Sequence, residues 1–149
     1  GGIRVPMIVR APGKDFEPGS TADVPVNSND IFPTALEYAS LKPNLSSPID
    51  GESILPASLA ANGNANRPLF WHYPHYGNQG GSPSAAVRRG DWKLIHFFED
   101  DRRELYNLAD DVGENNNVAE SNPELKAELT VLLDDWSKTV GAKFPARRQ

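Results

Sequence analysis

The chain has 149 residues, with 15 basic and 20 acidic side chains and no cysteine, so its formal net charge is −5. A surface of that sign repels phosphate backbones and anionic lipid headgroups, so neither nucleic acid nor a membrane is an expected partner. The absence of cysteine excludes disulfides, thiolate nucleophiles and cysteine-ligated metals.

The first elements in the chain are a predicted strand and a short predicted helix. Apolar residues alternate with others from Gly2 to Arg10, which is the period-2 pattern of a strand. Pro6 has no N–H to donate, so this strand is expected at a sheet edge or paired on one side there. Ser28 or Asn29 can cap a helix that covers about residues 30–40.

Residues 42–67 are predicted to form a linker, because they hold three prolines, two glycines and a stretch rich in Ser, Asn and Ala. Beyond the linker the pattern becomes that of strands, each bounded by turn-forming residues. Four strands so close in sequence favour an antiparallel meander, since parallel neighbours need long crossovers. The predicted strands cover 69–73, 85–88, 92–98 and 104–108.

The tripeptide Arg89-Gly90-Asp91 lies between the second and third of these strands. The same tripeptide occurs in adhesion motifs, but its position between two strands favours a tight hairpin turn.

The last predicted element is a helix over residues 122–140. Asn122 precedes Pro123 at the first helical position, and Gly141 follows the last turn in the usual terminating role. One apolar stripe runs along the helix and requires an apolar partner, for which the sheet is available. The stripe consists of Leu125, Leu129, Leu132, Leu133, Trp136 and Val140.

His72 and His75 are the histidine pair with the most chemical interest. Imidazole ligates zinc, copper, iron or nickel, but a spacing of three puts two strand residues on opposite faces unless Pro74 redirects the chain. Two other interpretations stay open for His72, which are packing on a sheet face and a polar contact with a substrate. Aromatic and imidazole groups beside a Gly-rich loop are typical of a ligand-facing rim.

Asp110, Asp111 and Glu114 bear a weak likeness to a calcium-binding loop. Their spacing misses the EF-hand pattern, in which ligands stand at positions 1, 3, 5 and 12. A solvated turn is therefore the favoured interpretation.

Three passages, taken together, resemble the sulfatase family. GGIRVPMIVR followed by Pro12-Gly13 resembles the family's GGIRVPxIxRWPG passage, with Ala11 in place of the usual Trp. DIFPTAL at 30–36 followed by DGESI at 50–54 is similar to its D-x-x-P-T-x-L and D-G-x-S-L segments. RRGDWKLI at 88–95 and ELYNL at 104–108, then Asp111, Glu114 and Asn117, resemble RxGDWKLI and ELYNLxxDxxExxN.

This resemblance implies an arylsulfatase-type hydrolase of the alkaline-phosphatase-like superfamily. Such enzymes cleave sulfate esters with a formylglycine, made from Cys or Ser in C/S-x-P-x-R, beside a calcium ion. The chain contains no such motif, so the resemblance places no catalytic residue and no metal ligand on it. We therefore expect an inactive C-terminal fragment of a longer enzyme, for which the family suggests a periplasmic or secreted location.

The resemblance also implies an α+β architecture in two parts. Residues 1–66 would supply the last strand and helix of an incomplete α/β catalytic domain, whose exposed edge predicts self-association. Residues 67–149 would form a small antiparallel sheet packed by the helix. The loop after the first strand of this sheet would lie at the cleft for a sulfated small molecule or glycan. Its candidate substrate-binding residues are His72, His75, Tyr76, Asn78 and Gln79.

Two alternative functions remain open from the sequence. One is a stand-alone carbohydrate-binding or interaction module, which the aromatic residues at 71–76 could serve. The other is a phosphatase or phosphonate hydrolase of the same superfamily. A C/S-x-P-x-R motif encoded upstream of Gly1 would favour the sulfatase, and a start codon with nothing before it would favour the module.

Overall fold

The computed structural model describes residues 3–13, 16–42, 49–55, 66–78 and 80–145. The chain divides into two compact units, Gly2–Ala65 and Asn66–Gln149. The sequence predicts a domain boundary after residue 66, between the catalytic domain and the C-terminal subdomain of a longer protein. That boundary stays a prediction. Within the described ranges, no helix is both long enough and apolar enough to cross a membrane.

The second unit contains one sheet and one long helix. Four antiparallel strands lie in the order β1-β2-β3-β4, and the helix α2, Pro123–Thr139, follows them. The predicted four-stranded antiparallel sheet with a C-terminal helix is confirmed, and the strand ends differ from prediction by one residue at most. The strands are β1 (Leu69–Tyr73), β2 (Ser84–Arg89), β3 (Trp92–Phe97) and β4 (Arg103–Asn107).

The turn between β2 and β3 has two residues, Gly90 and Asp91. Gly90 has φ 59°, a left-handed conformation that glycine adopts without steric cost. The Arg88 Nε donates a hydrogen bond of 2.9 Å to the Gly90 carbonyl. The hairpin interpretation of the Arg-Gly-Asp tripeptide is therefore confirmed.

One face of the sheet packs against α2. Phe70, Val87, Leu94 and Leu105 lie side by side in the strand register and form one row on that face. Because a strand alternates its side chains, the residues two positions along each strand share this face. The resulting apolar core includes one residue from the loop after β4, Ala119. Its other members are Ala85, Val87, Leu94, Leu105, Leu129 and Leu133.

The helix stripe packs largely as predicted. Leu129 and Leu133 are fully buried, and the Trp136 ring stacks on Phe70 with centroids 4.7 Å apart and planes 2° apart. Val140 differs, because it lies just past the helix end and is 52% exposed. Ser137, which the stripe did not include, is buried.

Both ends of α2 have the residues that the sequence predicts there. Pro123 occupies the first turn, while the Asn122 side chain donates to the Val118 carbonyl instead of capping the helix. Gly141 has φ 63°, and its N–H bonds to the Lys138 carbonyl. The Ala142 N–H bonds to the Ser137 carbonyl at 2.9 Å, which completes a Schellman ending.

In the first unit, a 3-10 turn (Ser28–Asp30) leads into α1 (Ile31–Tyr38). The predicted cap at Ser28 or Asn29 is wrong by one or two residues, because Asn27 caps the turn. The Asp30 carboxylate accepts the Asn27 N–H at 2.8 Å, and this reciprocal bond moves the start of the element upstream.

Asp30 also joins α1 to residues 50–54. Its carboxylate is fully buried and accepts the Glu52 N–H at 2.9 Å, while the Thr34 hydroxyl accepts the Ile54 N–H at 3.0 Å. At Gly51 a Cβ would lie 2.1 Å from the Asn29 carbonyl oxygen, so the close approach requires glycine. The D-x-x-P-T and D-G-x-S passages are therefore joined by hydrogen bonds and close backbone packing.

The strand predicted over Gly2 to Arg10 is not present in the described part of that segment. Residues 4–11 have no strand assignment, and Val5 and Ile8 are 76% and 94% exposed. A strand needs a neighbour for its backbone N–H and C=O groups, and no other described residues of this unit form one.

The open edge of the sheet at β4 is covered by the loop that follows it. The Leu105 N–H donates to Asn117 Oδ1 at 3.0 Å, and the Val118 N–H donates to the Leu105 carbonyl at 2.9 Å. Asn117 Oδ1 also accepts the Ala119 N–H at 3.0 Å. These bonds satisfy backbone groups that an edge strand would otherwise expose for pairing with another chain.

A buried ion pair lies on the sheet face opposite α2. Lys93 Nζ donates to both Glu114 carboxylate oxygens, at 2.7 and 2.8 Å, and both side chains are largely buried. Burial raises the pKa of Glu114, the hydrogen bonds and charge of Lys93 lower it, and the net pKa is lowered.

We predict that Asn117→Ala destabilises the second unit by about 1–2 kcal/mol, because the Leu105 and Ala119 N–H groups lose their acceptor. The measurement is the free energy of unfolding in urea. Asn116→Ala is the matched control, since the Asn116 side chain makes none of these bonds, and we expect it within about 0.5 kcal/mol of the parent. Equal effects of the two substitutions would contradict the role assigned to Asn117.

We predict that Glu114→Gln destabilises the protein by about 3 kcal/mol at neutral pH, because it leaves the buried Lys93 charge unpaired. Because the folded-state pKa of Glu114 is lowered, the unfolded state takes up the proton at a higher pH than the folded state does. The stabilisation by Glu114 is therefore complete above about pH 4.5, its ordinary pKa. It is lost as the pH falls through the folded-state pKa.

Urea unfolding at a series of pH values tests this. Glu120→Gln is the control, because Glu120 pairs with Lys126 while 93% exposed, and we expect an effect below about 1 kcal/mol. A stability gap between parent and Glu114→Gln that stays constant down to the most acid pH would refute the assignment.

Candidate functional site

The loop between β1 and β2 carries most of the predicted substrate-binding residues. Pro74 follows the last residue of β1, and His75, Tyr76 and Asn78 are exposed beyond it. The His75 ring meets the Tyr73 ring edge-on, with centroids 5.6 Å apart and planes at 88°. Gln79, the fifth predicted residue, lies outside the described residues. The exposed set formed by His75, Tyr76 and Asn78 is called the rim below.

The tip of this loop closes on itself. The Gly77 N–H donates to the Gly81 carbonyl at 2.8 Å, and the Gly80 N–H donates to the Gly77 carbonyl at 3.1 Å. Gly80 has φ 87°, which other residues adopt only with strain. The glycines thus allow a tight turn that holds the rim beside it.

A second connection joins the rim to the turn between β3 and β4. The Tyr76 hydroxyl donates to Glu99 Oε1 at 2.8 Å. The Phe98 N–H donates to the Pro83 carbonyl at 2.9 Å, where the loop enters β2. Sequence reasoning missed Glu99, since only the pairing of β1 and β3 with β2 brings residues 76 and 99 together.

His72 lies on the helix-facing side of the sheet, apart from the rim residues. Its Nε2 is 2.9 Å from the Lys143 carbonyl oxygen, and its ring packs against Phe98 and Phe144 with centroids 5.6 and 5.7 Å away. Its Nδ1 is buried with no hydrogen-bond partner in the described structure. These contacts support the packing interpretation of His72, and its role in substrate binding stays a prediction.

The rim offers hydrogen-bonding groups without a catalytic set. Imidazole, phenol and amide groups can bind hydroxyl or sulfate oxygens of a sugar, and the Tyr73 ring, 53% exposed, offers an apolar surface beside them. Among the residues that the structure describes, no group of three His, Asp or Glu side chains could hold a metal ion.

The acidic loop after β4 does not suit calcium. The Asp111 carboxylate accepts the Asn116 and Asn115 N–H groups, both at 2.8 Å, and these bonds lower its pKa. The Glu114 carboxylate is engaged by Lys93, and Asp110 accepts from the Asn107 amide at 2.8 Å. Carboxylate oxygens that could bind calcium thus accept hydrogen bonds from within this loop and from Lys93. This arrangement agrees with the interpretation of the segment as a turn.

Two relatives of this chain are sulfatases. The chain is 36% identical to a sulfatase from Formosa agariphila, over 91% of this chain and 27% of that protein. It is 33% identical to an N-acetylglucosamine-6-O-sulfatase from Bacteroides thetaiotaomicron, over 98% of this chain and 27% of that protein. The chain thus spans about a quarter of the length of these relatives.

A solved structure supports the same relationship. A protein in complex with its substrate, D-glucosamine-2-N,6-O-disulfate, matches with a TM-score of 0.57 and 28% identity, over 73% of this chain and 23% of that one. The family model described as "N-sulphoglucosamine sulphohydrolase, C-terminal" matches residues 1–139. With nearly its whole length matched, the chain belongs to this family of sulfatase C-terminal regions.

Proposed function

We propose that the chain is the C-terminal part of a longer sulfatase that hydrolyses sulfate esters of carbohydrates. The observation that carries this proposal is the family match over residues 1–139, in a chain that spans about a quarter of its relatives. The substrate named for the solved relative and the name of the Bacteroides relative both point to sulfated amino sugars. Sulfated glucosamine is therefore the first substrate class to test.

In this proposal the formylglycine and the calcium ion belong to other parts of the longer protein. The chain has no cysteine, and the carboxylates near Asp111 are engaged in internal hydrogen bonds. A bound calcium ion with formylglycine would supply the nucleophile and the stabilisation of sulfate charge. By itself the chain would be inactive.

The contribution of this chain is the shape of one side of the substrate cleft. The rim lies at the end of the sheet, and α2 packs against one face of that sheet. The rim residues therefore project from a rigid base. His75, Tyr76 and Asn78 would bind sugar hydroxyl or sulfate oxygens, while His72 would act through packing beneath the loop.

The enzymatic proposal is tested with the longer gene product, expressed with a formylglycine-generating enzyme. We expect release of inorganic sulfate from one or more members of a panel of sulfated glucosamines, sulfated polysaccharides and aryl sulfates. Phosphate and phosphonate esters at the same concentrations are the control substrates. Turnover of these esters with no sulfate release would favour the phosphatase alternative and overturn the proposal.

We predict that His75→Ala in the longer enzyme raises KM for its sulfated sugar about three- to tenfold, the range of one lost polar contact. We expect kcat to change less, because the rim would bind substrate in the ground and transition states alike. The matched variant His72→Ala should mainly lower the melting temperature, since it opens the packing with Phe98 and Phe144. Unchanged KM and kcat for both variants across several sulfated sugars would rule out a substrate role for this loop.

A further inference from the structure

The turn between β3 and β4 lies at the same end of the sheet as the rim. Tyr73, the last residue of β1, pairs with Ser84, and Ser84 pairs with Phe97, the last residue of β3. The loop after β1 and the turn after β3 therefore leave the sheet side by side. The bond between the Phe98 N–H and the Pro83 carbonyl joins them at the sheet itself.

Farther from the sheet, the two segments meet through Tyr76 and Glu99. The hydroxyl-to-carboxylate distance of 2.8 Å is that of a well-formed O–H···O hydrogen bond. Tyr76 is 65% exposed, and its bond to Glu99 restrains the ring at its hydroxyl end. The bonds at the loop tip lie within residues 77–81, whereas Glu99 provides an attachment outside the loop.

Holding Tyr76 has a consequence for its neighbours. His75 precedes it and packs edge-on against Tyr73, so Tyr73 and Glu99 hold two successive side chains of the rim. We propose that Glu99 is a positioning residue for the substrate rim, which it orders by accepting the hydrogen bond of Tyr76. This inference rests on the proposed function, because a rim that met no substrate would need no positioning.

The attachment itself can be tested without any activity. Chymotrypsin cleaves after exposed tyrosines, and mass spectrometry follows the cut after Tyr76 in the native chain. We expect Glu99→Ala to speed this cleavage about three- to tenfold, and Glu99→Gln to leave it near the parent rate, since the amide oxygen still accepts the bond. Glu124→Ala, at an exposed acidic residue in the first turn of α2, is the control. Equal cleavage in Glu99→Ala and the parent would overturn the inference.

The role in substrate binding is tested by kinetics of the longer enzyme. We expect Tyr76→Phe and Glu99→Ala each to raise KM about three- to tenfold, with kcat within about twofold. The double variant should be no worse than Tyr76→Phe alone, because that substitution already removes the bond to Glu99. Glu99→Gln should retain the parent KM.

The outcomes separate the two claims. If His75→Ala raises KM but Glu99→Ala does not, the rim binds substrate and the positioning role is wrong. If none of His75→Ala, Tyr76→Phe and Glu99→Ala changes KM, the rim has no substrate role and the inference fails with it. If Glu99→Gln behaves as Glu99→Ala, the charge of Glu99 matters rather than its hydrogen bond, which also overturns the inference.

Discussion

The contact between α2 and one face of the sheet is the constraint on which the second unit depends. Leu129 and Leu133 pack against the row formed by Val87, Leu94 and Leu105. All five side chains are essentially inaccessible to water. Burying apolar side chains is the main favourable contribution in a domain of this size, and a four-stranded sheet cannot bury its apolar face alone. Because α2 covers that face, the loops at the ends of the strands have a rigid base.

Several family-motif residues in this chain hold the fold together. Asp30 and Thr34 accept backbone N–H groups from the 50–54 segment, and Asn117 does the same for the edge strand β4. Lys93 of the D-W-K-L-I passage pairs with Glu114 of the D-x-x-E-x-x-N passage across the opposite sheet face. Buried polar groups need partners at fixed places, so a motif can be specific to a family without touching its substrate.

The rim differs from these motifs because its side chains face solvent. His75, Tyr76 and Asn78 project from a loop whose tip is closed by glycines and whose side is joined to the next turn by Glu99. Exposed polar and aromatic groups on a loop held by a rigid scaffold are the arrangement in which binding residues are most often found. Under the proposed function, the rim is the part of this chain that would contact the substrate.

Local pattern, proline and glycine predict the four strands, a hairpin turn at Arg89-Gly90-Asp91 and the helix α2, with ends within one residue of those in the structure. The α2 stripe also identified Leu129 and Leu133 as core, since helical periodicity decides which side chains share a face. The contact partners of these residues follow from the tertiary fold. Three contacts join residues that lie 21 to 72 positions apart in the chain. They are the Tyr76–Glu99 bond, the Lys93–Glu114 pair and the contact between the rings of His72 and Phe144. No periodicity links such residues, because strand pairing and chain return bring them together. For the same reason, the alternation at residues 2–10 predicts a strand that described residues 3–10 do not form, since a strand needs another segment as backbone partner.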